Sequence, residues 1–337
     1  MKGNEKTMVI GCDISKEKID VAYMDKPTKE VVLRKVVRNS KRGFKEIIKS
    51  LAGKKPIKRK ESFHVVLEAT GNYHLRFIGY LEQEGISYSV INPLKIKRYG
   101  QSKMLRIKSD KADAELIALY GAEQSPKESK SLEEYRRRLK SYTTVRASYV
   151  KQLTAMRNLL HSQRISGQSD ERILRRIKST IKGLKKVIKK LDKEMEEIIK
   201  GSGVRDVYER LLSIKGIGKV TAIGIIAYLG DLRDFKSSKQ VASYIGITPK
   251  IMQSGKSLNN SLGITKQGNS RLRTLFYLAS LSASRSNNAC KSLYKRLLSR
   301  GKQKKTALIA VSNKLVRQVF AIVKHERVFQ NDYACNA

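Results

Sequence analysis

Four carboxylates in this sequence stand where metal chemistry could use them. Asp13 closes an apolar run (VIGCDIS), Glu68 closes another (VVLEATGNY), and Asp110 and Asp113 lie three residues apart in KSDKADAEL. Hard oxygen ligands of this type bind divalent cations. Two such ions roughly 3.5 to 4 Å apart stabilise the attacking and leaving oxygens of a phosphodiester displacement. Each residue also has a plainer use. Asp110 can cap a helix, Asp113 can oppose the macrodipole in its first turn, and Asp13 and Glu68 can be ordinary strand-end acids. Taken together, in a chain with 30 acidic residues against 71 Lys and Arg, they point to a metal site.

The elements around them must bring the four together. MVIGCDI, KIDVAYMD and VVLRKVVR are β-rich runs with short polar links, which predicts a meander of three strands. Helical spacing follows over Lys41 to Leu51, then a buried-type strand FHVVLE, a helix over Tyr73 to Gln83, a strand SYSVI and a helix over Lys111 to Glu123. The order βββαβαβα is a mixed α/β sheet. A strand Asp, a second strand Glu and two helix-borne Asp on that scaffold are how a ribonuclease-H-like nuclease gathers oxygen ligands for two Mg²⁺.

From Ser131 to Lys200 the sequence is long, charged and helical, with one break at ISGQSD, as in a helical hairpin. In its second arm Ile173, Ile177, Ile181, Leu184, Ile188, Leu191, Met195 and Ile198 recur at spacings of three and four, which predicts a coiled-coil seam. That seam is also a candidate dimer interface, and the Lys-rich outer face either contacts nucleic acid or is simply solvated. Beyond Gly203 come helical pieces and a Gly-punctuated loop region. There LLSIKGIGKVTAIGIIAYLG has the pattern of a helix-hairpin-helix, in which Gly216 and Gly218, beside Lys215 and Lys219, let backbone amides approach a phosphate; a plain helix-helix turn is the alternative. The expected organisation is therefore 1–127, a metal-binding α/β domain; 128–202, a helical coiled-coil hairpin; and 203–337, a mostly helical C-terminal domain.

Composition narrows the function. The 337 residues carry a net charge of +41, with 40% hydrophobic residues to build cores, so the expectation is a folded protein with a polyanionic partner. Phosphate contacts by Lys and Arg release counterions and bind nucleic acid without regard to sequence. The reading finds no membrane-spanning run and no signal-peptide order at the N-terminus. Three cysteines, Cys12, Cys290 and Cys335, and four histidines make neither a disulfide framework nor a zinc finger.

The set IGCDISK, LEATGNYH, NPLKIKRYGQSK and KSDKADA resembles the RuvC-like N-terminal domain of insertion-sequence transposases with a DEDD acidic tetrad, the group related to the pilin-gene invertase Piv. The stretch from LLSIKGIGK to TLFYLAS resembles their C-terminal transposase domain, so the likeness runs from about residue 8 to residue 325. The resemblance implies a Mg²⁺-binding tetrad of Asp13, Glu68, Asp110 and Asp113, and a nucleophilic serine at Ser254 in QSGKS. From the residues alone Ser254 reads as a loop serine bonded to its own turn, and a serine hydroxyl is a weak nucleophile until activated. KSD carries serine where the family commonly has threonine. The resemblance further implies a cytoplasmic, nucleoid-associated recombinase that acts on donor and target DNA. It works as a homo-oligomer, dimer or tetramer, under a noncoding guide (bridge) RNA. Lys95, Lys97, Arg98, Lys103, Arg106 and Lys108 are then candidate phosphate contacts near the metal, and Lys256, Lys266, Arg271 and Arg273 near the serine. The competing expectations are a hydrolytic structure-specific endonuclease, in which the acids do all the chemistry, and a non-catalytic basic binding protein.

Overall fold

The protein is represented by a computed structural model that describes residues 7–52, 63–69, 71–104, 110–166, 170–254 and 258–332, with side chains at all of these except 51–52, 110–111, 251–254 and 258–262. Two compact units result, Met1–Ser131 and Leu132–Ala337.

In the first unit β1 (Met8–Ile14), β2 (Lys18–Asp25) and β3 (Val31–Arg38) form the antiparallel meander. After α1 (Lys41–Ala52), β4 (Phe63–Glu68) joins β1 in parallel; after α2 (Leu75–Gln83), β5 (Tyr88–Ile91) joins β4 in parallel. The sheet order β3-β2-β1-β4-β5, with those strand directions, is the ribonuclease-H-like arrangement expected. Central β1 is buried on both faces, which is why MVIGCDI is apolar almost throughout. The edge strand β3 alternates between half-buried and exposed instead.

Side-chain parity sorts two cores. Ile10, Cys12, Ile14, Ile19 and Tyr23 pack against Phe44, Ile47, Phe77 and Leu81 of α1 and α2. Val9, Ala22 and Val66 face the other way, towards α3 (Pro93–Ser102) and α4 (Asp110–Gln124), with Ile96, Ala114, Ile117 and Ala118. Helix α3 goes beyond the sequence expectation. The Asn92 side chain accepts from the Leu94 amide at 2.9 Å and Pro93 occupies the first turn, a start signal that the basic run KIKR obscures.

The second unit opens with the hairpin of α5 (Glu134–Ile165) and α6 (Glu171–Lys200). Leu153, Ile177, Ile181 and Ile188 cluster with Tyr149, Val150, Met156, Leu160 and Leu184, so the apolar stripe closes within one chain. One expected seam residue is corrected: Ile173 is 49% exposed and Leu174 is buried in its place. Starting at Leu174 the spacing becomes three, four, three, four throughout, whereas Ile173 would have put two fours in succession and rotated off the stripe. At the base of the hairpin Leu139, Met195, Ile198 and Ile199 belong to the core of the C-terminal helices, so hairpin and C-terminal segment share one unit.

That core also contains α7 (Arg205–Ser213), α8 (Lys219–Leu229), α9 (Ser238–Ile245), α10 (Ser270–Ser286), α11 (Asn288–Ser299) and α12 (Lys304–Lys324), with the hairpin β6 (Pro249–Ser254) and β7 (Leu258–Ile264) between α9 and α10. Helix α12 is, against the sequence reading, long and apolar enough to cross a membrane by length and composition. Its Val311, Leu315, Val316 and Val319 are fully buried in the core.

Replacing both Ile181 and Ile188 by Asp should unzip the distal hairpin, because each buries an unpaired charge. Helical circular dichroism should fall and the melting temperature with it. Unchanged helicity would mean that the stripe does not hold the hairpin shut.

Candidate active site

Three of the four expected acids lie on one face of the sheet. Asp13 shares the parity of Val9, and Glu68 that of Val66, so both point to the face that α4 covers. Their strands run in step, with Cys12 opposite Leu67 one position earlier. Asp113 comes from the first turns of α4, which crosses β1 directly over Gly11. The Ala114 carbonyl and the Ala118 amide occupy the space that a β-carbon at Gly11 would need. Further along α4 a β-carbon at Gly121 would come within 2.7 Å of Val9 and Val66. Only glycine allows that approach.

The electrostatics register the convergence. The Glu68 carboxyl is raised above its ordinary value by burial first, then by the negative charges of Asp13 and Asp113. Asp110 heads the same helix three residues before Asp113, a spacing that shares a face; its side chain lies outside the described residues. Among the described residues no three His, Cys, Asp or Glu side chains come close enough to hold one ion. The observed set is thus a self-repelling group of three carboxylates, partly desolvated.

Sequence reasoning missed a fifth acid. Asp20 is the cross-strand partner of Asp13, is 4% exposed, and pairs with the Lys18 ammonium at 3.1 Å. The signal was available: a lone acid in the apolar strand KIDVAY. His64, on the same strand as Glu68, is occupied by Ser87 at 3.0 Å and Ser89 at 2.8 Å and is a satisfied core group.

The basic candidates divide by what already holds them. Lys95, Lys97 and Arg98 are exposed on α3. Lys103 instead bonds Glu123 at 2.9 Å and lies over the Tyr99 ring, while the Tyr99 hydroxyl donates to Glu123 at 2.7 Å. These bonds, from Lys103 first, drive the Glu123 carboxyl down to about 2 and tie α3 to the end of α4. Arg106 and Lys108 lie outside the described residues.

In the second unit Lys215 is exposed, and its carbonyl accepts from Asn287 at 3.2 Å. Gly216 differs from expectation. Its φ of +102° and a would-be β-carbon 2.5 Å from Ala283 show that its freedom serves packing on α10. Gly218, the N-cap of α8, faces open space, and the Lys219 ammonium is held by Glu196 at 2.9 and 3.0 Å.

Ser254 ends β6, paired with Leu258 of β7, so it sits at the end of a strand where a loop was expected. Its side chain, and all of Lys256, lie outside the described residues. The floor beneath this hairpin is well fixed. Gly246 turns the chain out of α9 at φ +81°, the Arg273 guanidinium donates to the Ile245 carbonyl at 3.0 Å, and Asn313 donates to that of Ile247 at 3.1 Å. Lys266 is exposed and Arg271 half-buried in the first turn of α10.

Comparison with known proteins finds transposases. A transposase family model of the DEDD, IS110 type matches residues 10–163. A second, described as the IS116/IS110/IS902 transposase family, matches residues 208–295. The chain is 28% identical to the pilin gene-inverting protein of Moraxella lacunata over 95% of its own length and 97% of that protein's. It is 25% identical to the transposase of insertion element IS1111A of Coxiella burnetii, over 98% and 92% of the two chains. RuvC of T. thermophilus bound to a Holliday junction superposes over 36% of this chain and 99% of its own, at 14% identity and a TM-score of 0.27. The class is therefore a transposase, an enzyme that cleaves and rejoins DNA. Within that class the chain belongs to the IS110/IS116 family, with a DEDD domain at its N-terminus.

Two substitutions probe the acid face. Gly11→Ala should cost about 1–3 kcal/mol by forcing α4 off β1, read as a lower melting temperature. Glu68→Gln should act oppositely in metal-free buffer. A carboxyl whose proton affinity is raised by folding stabilises the folded state below its ordinary range and penalises it as pH rises through the raised value. The variant should thus match the wild type at pH 3 and melt higher at pH 7; a lower melting temperature at pH 7 would contradict the repulsion.

Proposed function

We propose that this transposase joins DNA strands through Ser254, with Mg²⁺ held by Asp13, Glu68, Asp110 and Asp113. The observation that carries the reading is the gathering of Asp13, Glu68 and Asp113 on one sheet face, where burial first, and then the charges of Asp13 and Asp113, raise the proton affinity of Glu68. The chemistry of that donor set suits a divalent cation, which would draw the mutually repelling hard oxygens together, with Asp110 as the fourth ligand. Such an ion neutralises charge on the oxygens of the phosphodiester in flight.

The serine hydroxyl attacks the DNA phosphorus, the P–O bond to the leaving deoxyribose breaks, and the departing oxygen takes up a proton while Ser254 loses one. The phosphoserine ester conserves the bond energy, so a second deoxyribose hydroxyl can reverse the step and seal a new junction. Exposed Lys95, Lys97 and Arg98 on α3 are placed to hold the backbone beside the acids, and Lys215, Gly218, Lys266 and Arg271 to hold it in the second unit. Lys103, Lys219 and Arg273 act first through the folding contacts described above, and Gly216 supports the turn. Arg106, Lys108 and Lys256 complete the proposed set by sequence. A charge of +41 directed at backbones, with target choice delegated to a guide RNA by base pairing, accords with the family's proposed mode. In the same reading, donor and target DNA are brought together by a homo-oligomer, dimer or tetramer.

The decisive experiment incubates the full chain, with the RNA it retains from its own locus, with donor and target DNA and Mg²⁺. A covalent adduct mapped to Ser254 is the expected result, lost in Ser254→Ala. In Asp113→Asn, cleavage should fall by about 10²-fold or more with binding kept. Cleavage to free ends that survives Ser254→Ala would assign the chemistry to hydrolysis by the acids and remove the serine from it.

A further inference from the structure

Outside the acid face and the serine hairpin, one group in the second unit is held in a way that its own fold does not repay. Arg136, on α5, lays its guanidinium on the backbone of Gly230, at the end of α8. Its Cζ and both terminal nitrogens fill the space of a β-carbon there, and Gly230 adopts φ +70°. The Arg136 Nε is sealed from solvent with no hydrogen-bond partner. Among the described residues no acceptor hydrogen-bonds any part of that guanidinium, although it carries five donors in a planar fork.

One turn on, Lys140 lies on the same face of α5. Its ammonium sits 6.0 Å from the Tyr228 ring centroid and makes no ion pair among the described residues. Burial first, and the charge of Arg136 second, lower its proton affinity. An acid that feels the Arg136 charge, Asp231, is already bonded by Arg233 at 3.0 and 3.1 Å. Tyr228 is pinned by Thr143 at 2.9 Å, and the Tyr244 hydroxyl donates to the Tyr228 carbonyl at 3.4 Å. Tyr244 itself is 45% exposed, so part of its ring is open to solvent.

Two like charges side by side, half-buried and with no acid hydrogen-bonded to either among the described residues, are a cost to the folded chain. The geometry suits a tetrahedral oxyanion: two terminal guanidinium nitrogens that can donate as a pair, a second cation one helical turn away, and a ring against which a base can stack. We propose that Arg136 and Lys140, framed by Gly230, Tyr228 and Tyr244, form a cleft for the backbone phosphodiester of a nucleic-acid strand. The inference rests on the chain acting on DNA, and is independent of Ser254 being the nucleophile.

The test is a binding measurement on the full chain in the Ser254→Ala form, without Mg²⁺, so that loss of chemistry cannot affect it. A short oligodeoxythymidylate should protect Lys140 from a lysine-reactive ester, mapped by mass spectrometry. Arg136→Gln and Lys140→Gln should each reduce the slope of log affinity against log salt by about 0.7. Each should weaken binding several-fold at low salt, with the melting temperature unchanged or raised as the repulsion is relieved. Wild-type slopes, or an unprotected Lys140, would overturn the proposal. A melting temperature that drops while the slope holds would do the same, because the two cations would then serve the carbonyl end of α8. Protection by inorganic phosphate equal to that by the oligonucleotide, at matched phosphate concentration, would replace the strand with a small anion and also overturn it. The protection experiment needs neither Arg136 nor Lys140 substituted, so a variant that fails to fold leaves the question answerable.

Discussion

The missing β-carbon at Gly11 is the constraint on which the acid face depends. Because the Ala114 carbonyl and Ala118 amide of α4 rest where that carbon would be, the helix lies against β1 at backbone distance. Small residues continue the contact, with Ala118 over Gly11 and Gly121 over Val9 and Val66. A helix held this close carries Asp113 to the ends of β1 and β4, where Asp13 and Glu68 already share the face. Desolvation and mutual repulsion follow from the approach, and both appear in the raised affinity of Glu68 for its proton. Backbone packing thus sets the electrostatics, and those set what the site can bind.

A surplus of cations does not make every cation a ligand contact. Lys103 and Lys219 are committed to Glu123 and Glu196, and Arg273 to the carbonyl end of α9. These bonds fix α3 against α4, α8 against α6 and the entry to the serine hairpin. Because the scarce acids are used as clamps, cations without an acid partner among the described residues stand apart, Lys95, Lys97 and Arg98 on α3 and the half-buried pair Arg136 and Lys140 among them. Charge counting would treat all of them alike; their partners separate them.

The strand that carries Ser254 likewise depends on committed side chains. Gly246, Arg273 and Asn313 define where β6 begins, and strand pairing carries the chain from there to Ser254. Pairing with Leu258 thus sets the backbone of Ser254 in a hairpin two strands wide. In the α5–α6 pair, the stripe that could have joined two subunits is consumed inside one chain.

The sequence by itself determined the strand meander, the alternation of later strands and helices, and the long hairpin, because period-two and period-3.6 apolar patterns are local properties. The motifs also placed Asp13, Glu68, Asp110 and Asp113 at element ends. What the pattern could not decide was everything that depends on distance between segments. Ile173 and Leu174 are equally apolar, and only packing against α5 chose Leu174. Gly216 and Gly218 look alike in GIG, yet contact with Ala283 commits the first and leaves the second open. Asp20 reads as an ordinary strand residue until pairing sets it opposite Asp13, and Arg136 as one of three consecutive arginines until Gly230 receives it. In each case the deciding contact joins residues far apart in the chain, and no local spacing encodes which side chain will find its partner.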